Sequence, residues 1–159
     1  MARQGDRTAR TVTVYRLLPW LPAILAVAAL LFLTLQPPDE TTELSGSFQR
    51  WLLSLWPVGQ APAWAKDSHL IRSFAHVPEF FILGCCFFIG FRFCTAKPAL
   101  WTILTCCGIG LLDEGLKYLL PTREFDVMDW SLDVAGVLLA SGLMTLIFAA
   151  IRRRGVSHV

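Results

Sequence analysis

Charge is scarce in this sequence. Asp, Glu, Lys and Arg together make up 16% of its 159 residues, while 55% are hydrophobic and the mean hydropathy is +0.55. That balance is too apolar for an ordinary soluble domain of this size. Leu17 to Leu35 carries no charge at all and is long enough to cross a bilayer core at about 1.5 Å per residue. The net charge of +2 is too small to suggest a nucleic-acid partner, and the basic residues gather at segment ends rather than along one face. There is no internal repeat and no low-complexity tract. The cysteines, Cys85, Cys86, Cys94, Cys106 and Cys107, lack metal-type spacing, which argues against a zinc site or a disulfide framework and leaves them as packing residues. With no HExxH-type motif either, the sequence assigns no metal site and names no cofactor.

What is present is apolar and segmented. After Leu17 to Leu35 come Ser73 to Phe91, Pro98 to Leu120 and Leu132 to Ile151. The fold expected is all-α: a polytopic membrane protein built as a bundle of four transmembrane helices. The first segment ends in TLQPPDE rather than a small-x-small cleavage site, so it reads as a retained helix and not a signal peptide. Arg3, Arg7, Arg10 and Arg16 precede it, Arg92 and Lys97 lie between the second and third segments, and Arg152, Arg153 and Arg154 follow the fourth. If the spans alternate, all of these share one side, which the positive-inside rule makes cytoplasmic. Both termini are then inside, with basic tails at 1–16 and 152–159 flanking a membrane domain at 17–151. In the first outer loop, Phe48, Trp51, Leu52 and Leu55 fall at helical spacing and Pro57 ends the run. This predicts a short amphipathic helix in the outer interface, as an anchor or a lid.

The few ionisable groups in and beside these spans fall into stripes. Arg72, His76, Glu79 and Leu83 keep to one face of the second span, with His76 and Glu79 roughly 5–12 Å below its outer end. Asp113 and Lys117 share a face of the third span, with Glu114 about 100° round from them. Asp126, Asp129 and Asp133 form a third stripe, continued inward by Gly136 and Ala140, whose small size admits a neighbouring helix. All three stripes reach the same outer third of the membrane. Ionisable side chains are costly in hydrocarbon, so convergence on one another is the economical arrangement and marks a functional site. Blander alternatives stand beside it. Asp113 and Lys117 also suit a plain intrahelical ion pair, Asp126 a helix cap, and Arg123 an interfacial anchor.

Three segments resemble the VanZ-like family of integral membrane proteins. IRSFAHVPEFFILG resembles that family's VRKxAHFxEYxxLG segment, and DEGLKYLLPTREFDVMDWSLDVAGVLLA resembles DExxQxFxPGRxxxxxDxxxDxxGxxxG. LQPPDETTELS is similar to a weaker QPxxxSxxLS element. The likeness covers residues 30 to 142. It implies that Arg72, His76, Glu79, Asp113, Glu114, Arg123, Asp129 and Asp133 take the family's polar positions. Ser73 stands where a lysine is common, Phe80 replaces a tyrosine, Lys117 a glutamine and Thr122 a glycine, so Lys117 can restore a cation missing at Ser73. The family takes its name from a protein giving low-level resistance to the glycopeptide teicoplanin. Membership implies a cell-envelope role, in the bacterial cytoplasmic membrane.

Three functions fit these residues. In the first, the protein binds a lipid-linked envelope precursor or a lipoglycopeptide-type amphiphile, with Arg72, Asp113, Lys117, Arg123 and Asp133 lining the site. In the second it is a membrane enzyme doing acid/base or metal-assisted chemistry on such a lipid, with His76, Glu79, Glu114 and Asp129 as catalytic candidates and Asp113, Glu114, Asp129 and Asp133 offering oxygen enough to hold a divalent cation. A transporter or proton relay is the third, which four spans without repeats would support only as an oligomer.

Overall fold

The apolar segments fold into long helices whose ends are set by prolines and caps. The computed structural model describes residues 17–35, 38–57, 59–119 and 126–156. A 3₁₀ turn, Leu18–Trp20, leads into α1, Leu21–Leu35. Pro19 and Pro22 fall at the starts of these two elements, where a missing N–H costs nothing. The buried residues of α1 are Ala23, Leu30 and Thr34, a single stripe, while Ile24, Leu25 and Phe32 face outward. Helix α2, Pro38–Leu53, begins well before the expected amphipathic stretch around Phe48. The stop expected at Gln36 and Pro37 lies outside the described residues; Pro38, pre-set for a first helical position, opens the next helix.

A single turn, α3 (Ala63–Lys66), precedes α4, Ser68–Arg92. Asp67 caps α4, its carboxylate accepting the N–H groups of His69 (2.9 Å) and Leu70 (3.3 Å), so the helix starts earlier than its apolar pattern. Helix α5 is Pro98–Leu119 and α6 is Val127–Val156. Asp126 is the cap of α6, accepting the Met128 N–H at 2.8 Å, the helix-cap role weighed for it above. Helix α6 runs on through Arg152 to Arg154. The expected tail at 1–16, and Arg123 and Glu124, lie outside the described residues.

Helix α4 is the hub. It packs on α1, α2, α5 and α6, most extensively on α6. Glycine makes that contact close. A Cβ at Gly136 would run into the Val77 carbonyl and come within 3.0 Å of the Phe81 nitrogen; one at Gly84 would lie 2.8 Å from the Ala140 Cβ. The core beside this seam holds Leu30, Phe80, Leu83, Phe87, Cys106 and Val137. Trp20 closes one end, edge-on to Phe91 at 4.8 Å between ring centres. Cys106 is buried and unbonded to sulfur, a packing residue as expected.

The outer faces are apolar. Phe32, Phe74, Ile82, Leu104, Leu112, Leu139 and Leu146 are all exposed, on four different helices. A continuous greasy exterior of this extent is what lipid solvates. Leu18–Leu35, Ser68–Arg92, Pro98–Lys117 and Val127–Arg154 are each long and apolar enough to span a membrane. At one end of the bundle a cleft of about 530 Å³ between α4, α5 and α6 brings together Arg92, Lys97 and Arg152, so these basic groups do share a side.

Gly136→Ala is expected to push α6 off α4. Unfolding in detergent should show a loss of about 1–3 kcal/mol, the usual cost of overpacking, whereas Gly142→Ala, where an added Cβ meets nothing within 4 Å, should be neutral.

Candidate functional site

At the end of the bundle away from Arg92 and Arg152, every long apolar helix contributes a polar side chain to one cluster. From α4 comes His76, from α5 Asp113, Glu114 and Lys117, from α6 Asp129 and Asp133, and from α1 Thr34. The burial is deep: Glu114 and Asp133 are 0% exposed, His76 and Lys117 9%. The close α4–α6 seam at Gly136 places Asp133, one turn before it, against His76.

His76 is held by both its ring nitrogens. Nδ1 lies 2.8 Å from the Asp133 Oδ1, a hydrogen bond, and Nε2 lies 3.4 Å from the Asp129 Oδ2. On the α5 side, the Lys117 Nζ sits 3.0 Å from the Asp113 Oδ2 and 2.5 Å from the Glu114 Oε1. This is the intrahelical pair that spacing allowed, but it is not only that. The Thr34 hydroxyl reaches across from α1 to the Asp113 carboxylate and is shared with the Leu30 carbonyl. The Asp126 backbone N–H donates to the Glu114 Oε2 at 3.2 Å, tying α5 to the start of α6. Trp130 adds a second tie, its indole N–H donating to the Cys107 carbonyl at 3.3 Å. The buried Ser73 lies next to Asp129.

Of the residues expected at the site, His76, Asp113, Glu114, Lys117, Asp129 and Asp133 come together. Glu79 flanks them, half-buried and without a hydrogen bond or ion pair among the described residues. Arg72 does not join them. It is exposed, and among the described residues it makes no ion pair. Arg123 is outside the described residues. Thr34 is the member that sequence reasoning passed over; a lone hydroxyl near the end of an uncharged span was the available signal. Cysteine takes no part through its side chain.

Among the described residues the cluster is rich in acid. Four buried carboxylates, Asp113, Glu114, Asp129 and Asp133, face one lysine and one imidazole. Lys117 is committed to Asp113 and Glu114, leaving His76 between the two α6 acids. Buried ions need partners with good geometry, because the dehydration cost of each is several kcal/mol. The Asp133–His76 contact fixes the ring and presents Nε2 to the interior, which is the arrangement of a positioned acid, base or ligand.

A family model described as VanZ/LLP1 matches residues 20–148. The chain belongs to this family. No curated protein and no solved structure matches it. The VanZ/LLP1 match runs from Trp20 to Phe148, so every member of the cluster, Thr34 included, lies inside the family's extent, and the resemblance seen in the three segments is borne out. The protein is thus a VanZ-family membrane protein.

Removing one partner from the cluster should be costly. Asp133→Ala and Lys117→Met are each expected to lower stability by about 3–5 kcal/mol, since each strands buried charge. Arg72→Ala should leave the unfolding curve in place.

Proposed function

We propose that the protein binds a lipid-linked envelope precursor, or an amphiphile of the lipoglycopeptide type, at the outer leaflet of the cytoplasmic membrane. The observation that carries this reading is an apolar groove of about 440 Å³ between α2 and the first half of α4, lined by Phe48, Leu52, Trp64, Leu70, Ile71, Phe74, Ala75 and Pro78. It sits at the same end of the bundle as the ionisable cluster and can take an acyl or prenyl chain. Arg72, next to Ile71 and exposed, is available to a phosphate or carboxylate headgroup. Basic residues at the other end, Arg92, Lys97 and Arg152, support that end as cytoplasmic. With α2 lying in the outer interface, the groove then opens to the outer leaflet. A link to glycopeptide (teicoplanin) resistance would follow from holding such an amphiphile.

A second reading is favoured by one contact. The Asp133–His76 hydrogen bond of 2.8 Å suits a membrane enzyme in which His76 moves a proton and Glu79, Glu114 and Asp129 assist.

Native mass spectrometry of the purified protein separates these. The expected result is a co-purified lipid, lost when Ala75→Trp fills the groove and weakened by Arg72→Ala. Lipid retention indifferent to both substitutions contradicts the binding reading. Turnover of an added lipid phosphate, abolished in His76→Ala, would select the enzyme.

A further inference from the structure

We propose that His76, Glu114 and Asp129 form a binding site for one divalent transition-metal ion, Zn²⁺ or Mn²⁺, inside the bundle. Each offers one ligand atom, and these atoms lie within 4.8 Å of one another although the residues come from three different helices. All three are buried. The site lies on the bundle side of α4, about half a turn round the helix from the apolar groove, and stands apart from the lipid-binding reading.

Three features favour a metal over a self-contained hydrogen-bond network. First, the His76 Nδ1 is bonded to Asp133 at 2.8 Å. A ligating histidine typically gives its other ring N–H to a carboxylate, which fixes the tautomer and frees Nε2 for the ion. Second, that Nε2 faces the Asp129 Oδ2 at 3.4 Å, longer than the roughly 2.7–2.9 Å of a charge-assisted N–H···O bond. The other oxygen of Asp129, a residue only 4% exposed, has no hydrogen-bond partner among the described residues. A buried carboxylate oxygen in that state wants a donor or a cation. Third, Lys117 is taken up by Asp113 and Glu114, so among the described residues the His76 imidazole alone stands between Asp129 and Asp133. A doubly charged ion at this point adds the charge that two carboxylates and one ring leave unmatched.

The donor set selects the ion. One imidazole nitrogen with two carboxylates is too poor in oxygen for Ca²⁺, which takes six to eight oxygen ligands, and has no thiolate. Zn²⁺ holds such ligands at about 2.0–2.2 Å, and the side chains reach that by closing on the ion. Three protein ligands leave a coordination position for water or for an incoming polar group.

The test uses full-length protein in detergent, stripped with chelator and reloaded with Zn²⁺ or Mn²⁺ alone, with bound metal measured by elemental mass spectrometry after dialysis. Uptake of one ion per chain is expected, with a rise in thermal midpoint. Asp129→Asn and Glu114→Gln should abolish both. Asp133→Asn, which touches only the orienting bond, should weaken affinity by roughly 10–100-fold. Asp129→His keeps a ligand while changing its type, and should retain an ion with its preference moved from Mn²⁺ toward Zn²⁺; this arm serves if an amide variant fails to fold. Substoichiometric uptake by the wild type, or uptake and metal preference unchanged by the Asp129 substitutions, overturns the site. Lipid retention plays no part in the readout.

Discussion

Ionisable side chains dissolved in hydrocarbon must find one another, and that demand organises this bundle. Asp113, Glu114, Lys117, Asp129, Asp133 and His76 are buried at one end, and each depends on partners from other helices or from the next turn of its own. Small residues make the meeting possible. With no Cβ at Gly136, α6 lies against the backbone of α4, and Asp133 comes within bonding distance of His76. Packing and electrostatics are therefore one constraint. The seam that buries Phe80 and Val137 also sets the distance between imidazole and carboxylate.

Helix α4 turns two different faces to its surroundings. The face bearing Ser73, His76 and Phe80 is turned into the bundle. The face bearing Phe74 and Pro78 borders the apolar groove under α2. Pro78 lacks an N–H to give the Phe74 carbonyl, so the groove is walled by a helix turn that is missing a rung. The ionisable cluster and the apolar groove lie on opposite sides of one helix, at one end of the bundle.

Much of this arrangement is legible in the sequence. The spans were plain because hydrocarbon tolerates no charge, and Leu17 to Leu35 carries none. The shared depth of His76, Asp113 and Asp129 followed from counting residues to the helix ends. Helix ends were less legible, since Asp67 and Asp126 extend α4 and α6 by capping, which hydropathy does not see. As half of a proline pair Pro38 reads as a stop, whereas it opens a helix. Thr34 was missed because a hydroxyl can satisfy itself on its own helix, and only the packing of α1 against α5 turns it toward Asp113. Arg72 shared the stripe of His76 by angle, yet near the start of α4 that stripe is open and the guanidinium stays exposed.

Side chains of separate spans act here as one unit, a coupling that a double-mutant cycle between His76 and Asp133 measures. Unfolding free energies of His76→Ala, Asp133→Ala and the double variant should reveal a coupling of about 0.5–3 kcal/mol, as for residues in contact. Additivity within about 0.3–0.5 kcal/mol, as for distant sites, would mean that α4 and α6 do not share this contact.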